Sequence, residues 1–276
     1  MSAWRRPEIT AVIRLALEED VGPGDITTEA CVPAEERATG AFLARQPLVL
    51  AGVELLEEIY ATLGGVDRLE LPHVSGTEVP AGETVARVNG RTRTLLTAER
   101  TALNFLQRLS GVATLARQFA RAVAGTHCRV LDTRKTTPGL RRLEKLAVAA
   151  GGGSNHRFGL FDAVLIKNNH IADAGGVSQA LERARSSGKP IQIEARTLAE
   201  IDEALACGAD HLLLDNFSVA GVAEAVGRIG GRARVEVSGG VTLETVRAYA
   251  ETGADFVSVG ALTHSAPAAN LSFRLC

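Results

Sequence analysis

The sequence predicts an α/β protein: an N-terminal α+β, sandwich-like domain followed by an open or incomplete (β/α) barrel of parallel strands. From Arg129 onward, short apolar stretches alternate with stretches of helical spacing; the apolar ones are CRVLD, DAVLIK, PIQIE, DHLLLD, RVEVSG and DFVSVG. Lys167, Glu194, Asp215, Ser238 and Gly260, which close the last five, lie 27, 21, 23 and 22 residues apart. That is the period of a βα unit, and right-handed repetition of such units makes a parallel sheet. The strands are short and almost wholly apolar, as in a sheet covered on both faces. A barrel is preferred to a doubly wound sheet because polar residues close every strand instead of clustering at one switch point. The division is expected at residues 1–110 for the first domain and 111–263 for the barrel, with residues 264–276 free to pack back on the first.

In the first domain, Ile9, Ile13, Ala16 and Leu17 share one face of a helix over Pro7–Glu19, and Pro7 suits its first turn. Glu18–Thr27 is rich in turn residues. Ala38–Leu50 is strand-like and Leu55–Leu63 helical. Val74–Val88 alternates around Pro80-Ala81-Gly82 and predicts a hairpin. Such a hairpin is similar to carrier modules, but those need a lysine at the turn, and none precedes Lys135. Thr97–Val123 is a long helix with Leu103, Leu106, Leu109, Val112 and Leu115 at every third position, opened by Glu99-Arg100. Ser110-Gly111 in its middle is either a weak point or a close-packing site. Helices are further expected over Leu140–Ala150, Val177–Ser186, Leu198–Cys207, Val219–Ile229 and Leu243–Glu251, the later ones ending near Gly188, Gly208, Gly230 and Gly253.

Composition excludes several classes. Hydrophobic content is 46% and charge 22% over 276 residues, which supports a sizeable core and argues against disorder. No 18-residue apolar run is present, against a transmembrane helix. The start, MSAWRRPE, does not read as a secretory signal. Cys31, Cys128, Cys207 and Cys276 show no C-x-x-C spacing, so they read as reduced thiols of a cytoplasmic protein, mostly core filler. A net charge of -2 gives no case for nucleic acid.

Charge is concentrated in Asp132–His170. This stretch holds seven cations (Arg134, Lys135, Arg141, Arg142, Lys145, Arg157, Lys167) against three carboxylates (Asp132, Glu144, Asp162). Three of the chain's four lysines lie here, although arginines number 26. Arg is a planar fork and Lys a mobile point charge, so a site using both suits a ligand with anionic groups of different shape. Arg141, Arg142 and Lys145 share a helix with Glu144 and read as a solvated face. Arg134, Lys135, Arg157 and Lys167 stand at strand ends or beside Gly151-Gly152-Gly153, whose backbone can approach a ligand closely. In a barrel the strand-end residues converge on one mouth. Cations then come from the early strands, Glu194 and Asp215 from the middle, and the Gly turns Ser238-Gly239-Gly240 and Gly260 from the last. Gly turns before helices suit phosphate. Paired carboxylates among phosphates suit Mg²⁺, often through water, or a sugar hydroxyl; the plainer alternative is salt bridging to Lys135 or Lys167.

The motifs DTRKTTPGLR, LEKLAVAAGGGSNHR and LIKNNH, with TALNFLQRLSG, LLLDNF, EVSGG and SVGALTHS, closely resemble the quinolinate phosphoribosyltransferase family. The likeness runs from Glu19 to Ser265. Leu146 stands where an aromatic is expected and Asn168 where an acid is. The resemblance implies transfer of phosphoribose from phosphoribosyl pyrophosphate to quinolinate with decarboxylation, giving nicotinate mononucleotide for NAD biosynthesis. It assigns quinolinate to Arg100, Arg134, His156, Arg157 and Lys167. Lys135, Glu194 and Asp215 become catalytic, the two acids holding Mg²⁺. Thr133, Ser238, Gly239, Gly240, Gly260 and Ala261 complete the binding set. It also implies a homodimer, with a higher oligomer left open, in which the small domain of one subunit covers its neighbour's barrel and Arg100 acts across the interface.

Other readings compete. Lys167 at a strand end could form a Schiff base, as in an aldolase. A non-catalytic metabolite binder could use the same scaffold. A paralogue linked to molybdenum transport shares much of it, but Asn155-His156-Arg157 and Arg100 favour the quinolinate enzyme.

Overall fold

Pro7 opens helix α1 (Pro7–Val21), which buries Ile9, Ile13 and Leu17 along one stripe. The computed structural model describes residues 3–276. Turn chemistry does not run unbroken to Thr27: Asp25 accepts the Thr28 N–H at 3.0 Å and so caps a second helix, α2 (Ile26–Cys31). There follow β1 (Arg37–Ala44), β2 (Leu48–Val49), α3 (Leu55–Thr62), β3 (Arg68–Glu70), β4 (Glu78–Val79), β5 (Thr84–Arg91) and the long α4 (Thr92–Ala122). The expected hairpin around Pro80–Gly82 is not formed. β4 pairs with β2, while β5 pairs antiparallel with β1 and β3. α4 begins earlier than expected, so Arg100 lies in its third turn and not at its start.

The contacts divide the chain into two units. The first comprises the chain up to Arg117, Thr136–Gly152 and Leu262–Cys276; the second comprises Gln118–Lys135 and Gly153–Ala261. A segment after the first barrel strand, Thr136–Gly152, belongs to the first unit. That segment carries α5 (Arg141–Ala150).

In the first unit, the last strand, β12 (Leu271–Leu275), pairs antiparallel with β1, giving the order β12-β1-β5-β3. Phe273 packs against Phe42 in a tilted arrangement with centroids 4.8 Å apart, and a Cβ on Gly40 would come within 2.2 Å of the Phe273 ring. Ser110-Gly111 is a close-packing site: Ser110 Oγ accepts the Ala51 N–H at 3.1 Å, and a Cβ on Gly111 would lie 2.0 Å from Pro267 O. Gly151 likewise packs on α4, where a Cβ would meet Ala113 O at 2.4 Å.

α5 is not a solvated basic face. Glu144 is fully buried and Lys145 nearly so. Glu144 takes Arg108 Nε and Nη2 at 3.0 and 2.7 Å and the Thr137 N–H and Oγ1–H at 3.0 and 2.7 Å. Arg108 also donates to Ala266 O at 3.0 Å and to Thr263 O. Arg141 donates to Thr136 Oγ1 at 3.0 Å, and Arg142 lies 3.4 Å from Glu8. One buried carboxylate thus ties three chain segments. Glu144→Ala leaves Arg108 without its counter-ion and is expected to cost roughly 3 kcal/mol, read as a drop of several degrees in Tm; an unchanged melt would refute the tie.

The second unit carries β6 (Arg129–Leu131), β7 (Val164–Ile166), α6 (Asn168–Ala174), α7 (Val177–Arg185), β8 (Ile191–Ala195), α8 (Leu198–Ala206), β9 (His211–Asp215), α9 (Val219–Ile229), β10 (Arg234–Ser238), α10 (Val246–Glu251) and β11 (Phe256–Ser258); α11 (Ala261–His264) follows. The strands form one parallel sheet in the order β6-β11-β10-β9-β8-β7. First and last strands are neighbours, so this is a barrel left open between β6 and β7. Ser154 occupies the free edge of β6, its N–H donating to Val130 O at 2.8 Å and its carbonyl accepting from Asp132 N at 3.0 Å. One face of the sheet is apolar (Ile193, Leu212, Leu214, Val235, Val237) and buried. The other alternates with it and carries Gln192, Glu194, His211, Asp215, Glu236 and Ser238, so the strands are not apolar throughout. Cys128 is the buried thiol; Cys31 and Cys276 are exposed and are not core filler.

Candidate active site

Register places the two acids side by side at the carboxyl ends of the strands. Glu194 pairs with Leu213, and Asp215, two residues on, pairs with Ser238. Glu194 is 7% exposed. Asn168 Nδ2 donates to its Oε1 at 2.7 Å. Arg196 Nη2 lies 3.5 Å from Glu194 and Arg196 Nε 3.8 Å from Asp215. Burial first, and then the Asp215 charge, raise the proton affinity of Glu194, with Lys167 and Arg196 opposing them. Asn168, standing where the resemblance leads one to expect an acid, therefore donates to Glu194 and adds no third charge. Lys167 is exposed at the end of β7, its backbone N–H held by His170 Nδ1 at 2.9 Å.

Beyond β9, Asn216 takes a left-handed conformation (φ 61), which Asn tolerates better than other side chains. Its N–H donates to Ser238 O at 2.8 Å and its amide to Asp215 Oδ2 at 3.1 Å. Gly239 (φ +100) lies so close that a Cβ would sit 2.2 Å from Asn216 Oδ1. Only glycine fits there. α10 begins at Val246 and not at Leu243, so any anion at Gly239-Gly240 meets loop N–H groups and not a helix end. Ala261 opens α11 directly after Gly260.

The cations follow β6. Lys135 is exposed, with its N–H on Thr133 Oγ1 at 3.0 Å. Buried Asp132 accepts the His156 N–H at 2.8 Å. Arg157 Nη1 donates to Ala163 O at 2.8 Å, while its Nε is buried without a hydrogen-bond partner. Burial and the nearby Arg134 cation lower the proton affinity of Arg157; Asp162 opposes them. Two guanidinium groups held close enough to repel are relieved by an anion between them.

Deeper in the sheet lie three polar side chains that the sequence reading passes over. His156 Nε2 is 3.0 Å from Gln192 Oε1 and 3.5 Å from Glu236 Oε1. Gln192 Nε2 is 2.7 Å from Glu236 Oε2 and 3.1 Å from His211 Nε2. They border a cavity of about 250 Å³ that Arg157 and Arg234 also line. Arg100 belongs to the other unit, exposed on α4. The structure thus brings Thr133, Arg134, Lys135, His156, Arg157, Lys167, Glu194, Asp215, Ser238, Gly239, Gly240, Gly260 and Ala261 into one unit, without Arg100. Among the described residues no cluster of three or more metal-type side chains is present, and no helix is long and apolar enough to cross a membrane.

Comparison with known proteins agrees with this geometry. Residues 25–110 match the N-terminal domain of quinolinate phosphoribosyl transferase, and residues 112–274 its C-terminal domain. Nicotinate-nucleotide pyrophosphorylase (carboxylating) of Mycobacterium leprae (strain TN) is 44% identical over 261 residues, covering 92% of each chain. Quinolinate phosphoribosyltransferase (decarboxylating) 1b of Nicotiana tabacum is 40% identical over 290 residues, covering 97% of this chain and 82% of its own. The solved nicotinate-nucleotide pyrophosphorylase of Francisella tularensis superposes with TM-score 0.95 at 38% identity, covering 100% and 99% of the two chains. With both domains matched in order and these relatives spanning nearly its whole length, the chain belongs to the quinolinate phosphoribosyltransferase family.

Proposed function

We propose that this chain transfers the phosphoribosyl group of phosphoribosyl pyrophosphate to quinolinate, releasing pyrophosphate and CO₂ and leaving nicotinate mononucleotide for NAD biosynthesis. The observation that carries it is the pairing, in one parallel-sheet unit, of Arg134, Lys135, Arg157 and Lys167 with two acids at adjacent strand ends. The pyridine nitrogen forms a bond to C1′ of the ribose as the bond from C1′ to pyrophosphate breaks. The ribose passes through an oxocarbenium-like state. Glu194 and Asp215 face the developing positive charge, and Lys135 and the N–H groups of the Ser238–Gly240 and Gly260–Ala261 turns take the leaving phosphates. The ring nitrogen, now alkylated and cationic, draws the electron pair left at C2 as CO₂ departs, and a proton then fills that position. No covalent nucleophile is needed.

The paired acids fit a hard divalent cation. Their mutual repulsion would be relieved by it, and carboxylate oxygens are the hard ligands such a cation takes. Mg²⁺ held by Glu194 and Asp215, directly or through water, would neutralise charge on the pyrophosphate. Arg134, Arg157 and Lys167, with Arg100 from a partner subunit of a homodimer, take the quinolinate carboxylates. A cytoplasmic location belongs to the same reading and rests on four free thiols.

The Schiff-base alternative asks for a desolvated lysine, whereas Lys167 is exposed. The direct test is formation of nicotinate mononucleotide from quinolinate, phosphoribosyl pyrophosphate and Mg²⁺. Nicotinate lacks the 2-carboxylate and so one charge-assisted pair. It is expected to lose about 2–3 kcal/mol of transition-state binding, roughly 30- to 150-fold in kcat/KM. Equal kcat/KM for the two acids would refute the assignment.

A further inference from the structure

Both ring nitrogens of His156 are engaged inside its own unit. Nδ1 accepts the backbone N–H of Arg157 at 2.7 Å. Nε2 faces Gln192 Oε1 at 3.0 Å and Glu236 Oε1 at 3.5 Å. A backbone N–H can only donate, so Nδ1 carries no proton. An imidazole carries at least one, so the proton is on Nε2 and its neighbours must accept. Gln192 therefore presents its oxygen to His156; the reversed amide would set N–H against N–H. The polarity propagates. Gln192 Nε2 donates to Glu236 Oε2 at 2.7 Å and to His211 Nε2 at 3.1 Å, which places the His211 proton on Nδ1. Burial lowers the proton affinity of His211, in keeping with a neutral ring. Every bond in this chain of four side chains has one allowed direction.

We propose that His156 is a positioning residue, held as a neutral imidazole protonated on Nε2, and that Gln192 is the group that holds it so. The claim deepens the phosphoribosyl-transfer reading and rests on it for the substrate. It departs from the expectation that the His156 ring touches quinolinate. Asp132 fixes the His156 N–H at 2.8 Å, and the His156 ring fixes the next N–H, that of Arg157. Two consecutive peptide groups are thereby clamped, and the guanidinium they carry is aimed at the substrate carboxylate. Around the two rings stand Glu236, Asp132 and Asp210 of one sign and Arg157 and Arg234 of the other. Glu236 favours an imidazolium. The Arg157 N–H forbids one, because a second ring proton would meet it head-on. Gln192 is suited to this place by being both donor and acceptor. A carboxylate there could not donate to Glu236 or to His211.

The deciding measurement is nitrogen NMR of the histidine rings in the full-length wild-type protein, with the His156 signals assigned by their loss in His156→Asn. The expected result is a neutral Nε2–H ring between about pH 6 and 8, the range over which an ordinary histidine titrates. An imidazolium at neutral pH, or a ring protonated on Nδ1, overturns the proposal. Kinetics give the second arm. His156→Asn sets an amide oxygen near the place of Nδ1 and should keep quinolinate KM within a few-fold of wild type; His156→Gln reaches the place of Nε2 instead and should raise it about tenfold or more. The reverse ranking means that the ring works through Nε2 on the substrate, and the proposal falls. Gln192→Glu should raise quinolinate KM with KM for the phosphoribosyl donor unchanged, and wild-type values for both would remove Gln192 from the role. The spectrum does not depend on turnover, so a wild-type protein that makes no nicotinate mononucleotide sinks the reaction reading alone.

Discussion

Arg100→Ala and Lys135→Ala are each expected to lose about a hundredfold or more of kcat/KM alone, and together to recover. Arg100 is exposed in one unit and Lys135 in the other. In the homodimer proposed above, each subunit would lend its Arg100 and keep its Lys135. A mixed dimer then holds one site with both residues and one with neither. Random reassembly makes half of the dimers mixed, so activity should return to roughly a quarter of wild type. The two variants are to be dissociated together and reassembled, with mixed dimers verified by mass. Their presence without recovered activity would place both residues in the same subunit's site or remove Arg100 from catalysis.

Glu194→Gln and Asp215→Asn are expected to weaken use of the phosphoribosyl donor by about a hundredfold or more while leaving quinolinate binding within a few-fold. Calorimetry of quinolinate on each variant checks the second half. Lost quinolinate binding with donor use intact would sink the assignment. Glu194→Gln carries a further signature. Burial and Asp215 raise the proton affinity of Glu194 in the folded protein. The native state then binds this proton more tightly than the unfolded one, so Glu194 costs stability progressively as pH rises from its unfolded-state pKa towards its higher folded-state pKa, and fully above that. The Gln variant should therefore melt higher than wild type at neutral pH, and the gain should vanish in acid. A variant both inactive and more stable is the mark of a charge kept for chemistry.

The parallel sheet is legible in the sequence because each βα unit announces itself within about two dozen residues, through an apolar strand, a polar closing residue and a Gly after the helix. Lys167, Glu194, Asp215 and Ser238 can be collected at one end on that basis alone. What stays hidden is whatever depends on lateral register. Gln192, His211 and Glu236 stand at alternate positions of strands that are easy to find, yet only the pairing of β8, β9 and β10 puts them on one face. The burial of Glu144 is hidden for the same kind of reason. Its charged neighbours Arg141, Arg142 and Lys145 give α5 a wet appearance, while the partner that neutralises it, Arg108, is 36 residues away in sequence. The missing hairpin at Pro80–Gly82 is a third case. Alternation correctly marks strands there, and each takes a partner outside the turn.

The pairing of β12 with β1 has a consequence for how the protein comes into being. A ribosome extends a chain at roughly 5–20 residues per second. β1 and β5 are therefore made well before Leu271, and wait on the order of ten to forty seconds for it. Through that interval the edge of β1 is bare and Phe42 lacks the ring that packs against it. The sheet made first is finished last, after every barrel strand has left the ribosome. An uncovered strand edge is a template for the wrong partner. A nascent polypeptide is thus exposed to aggregation at the edge of β1 until Leu271–Leu275 has been made.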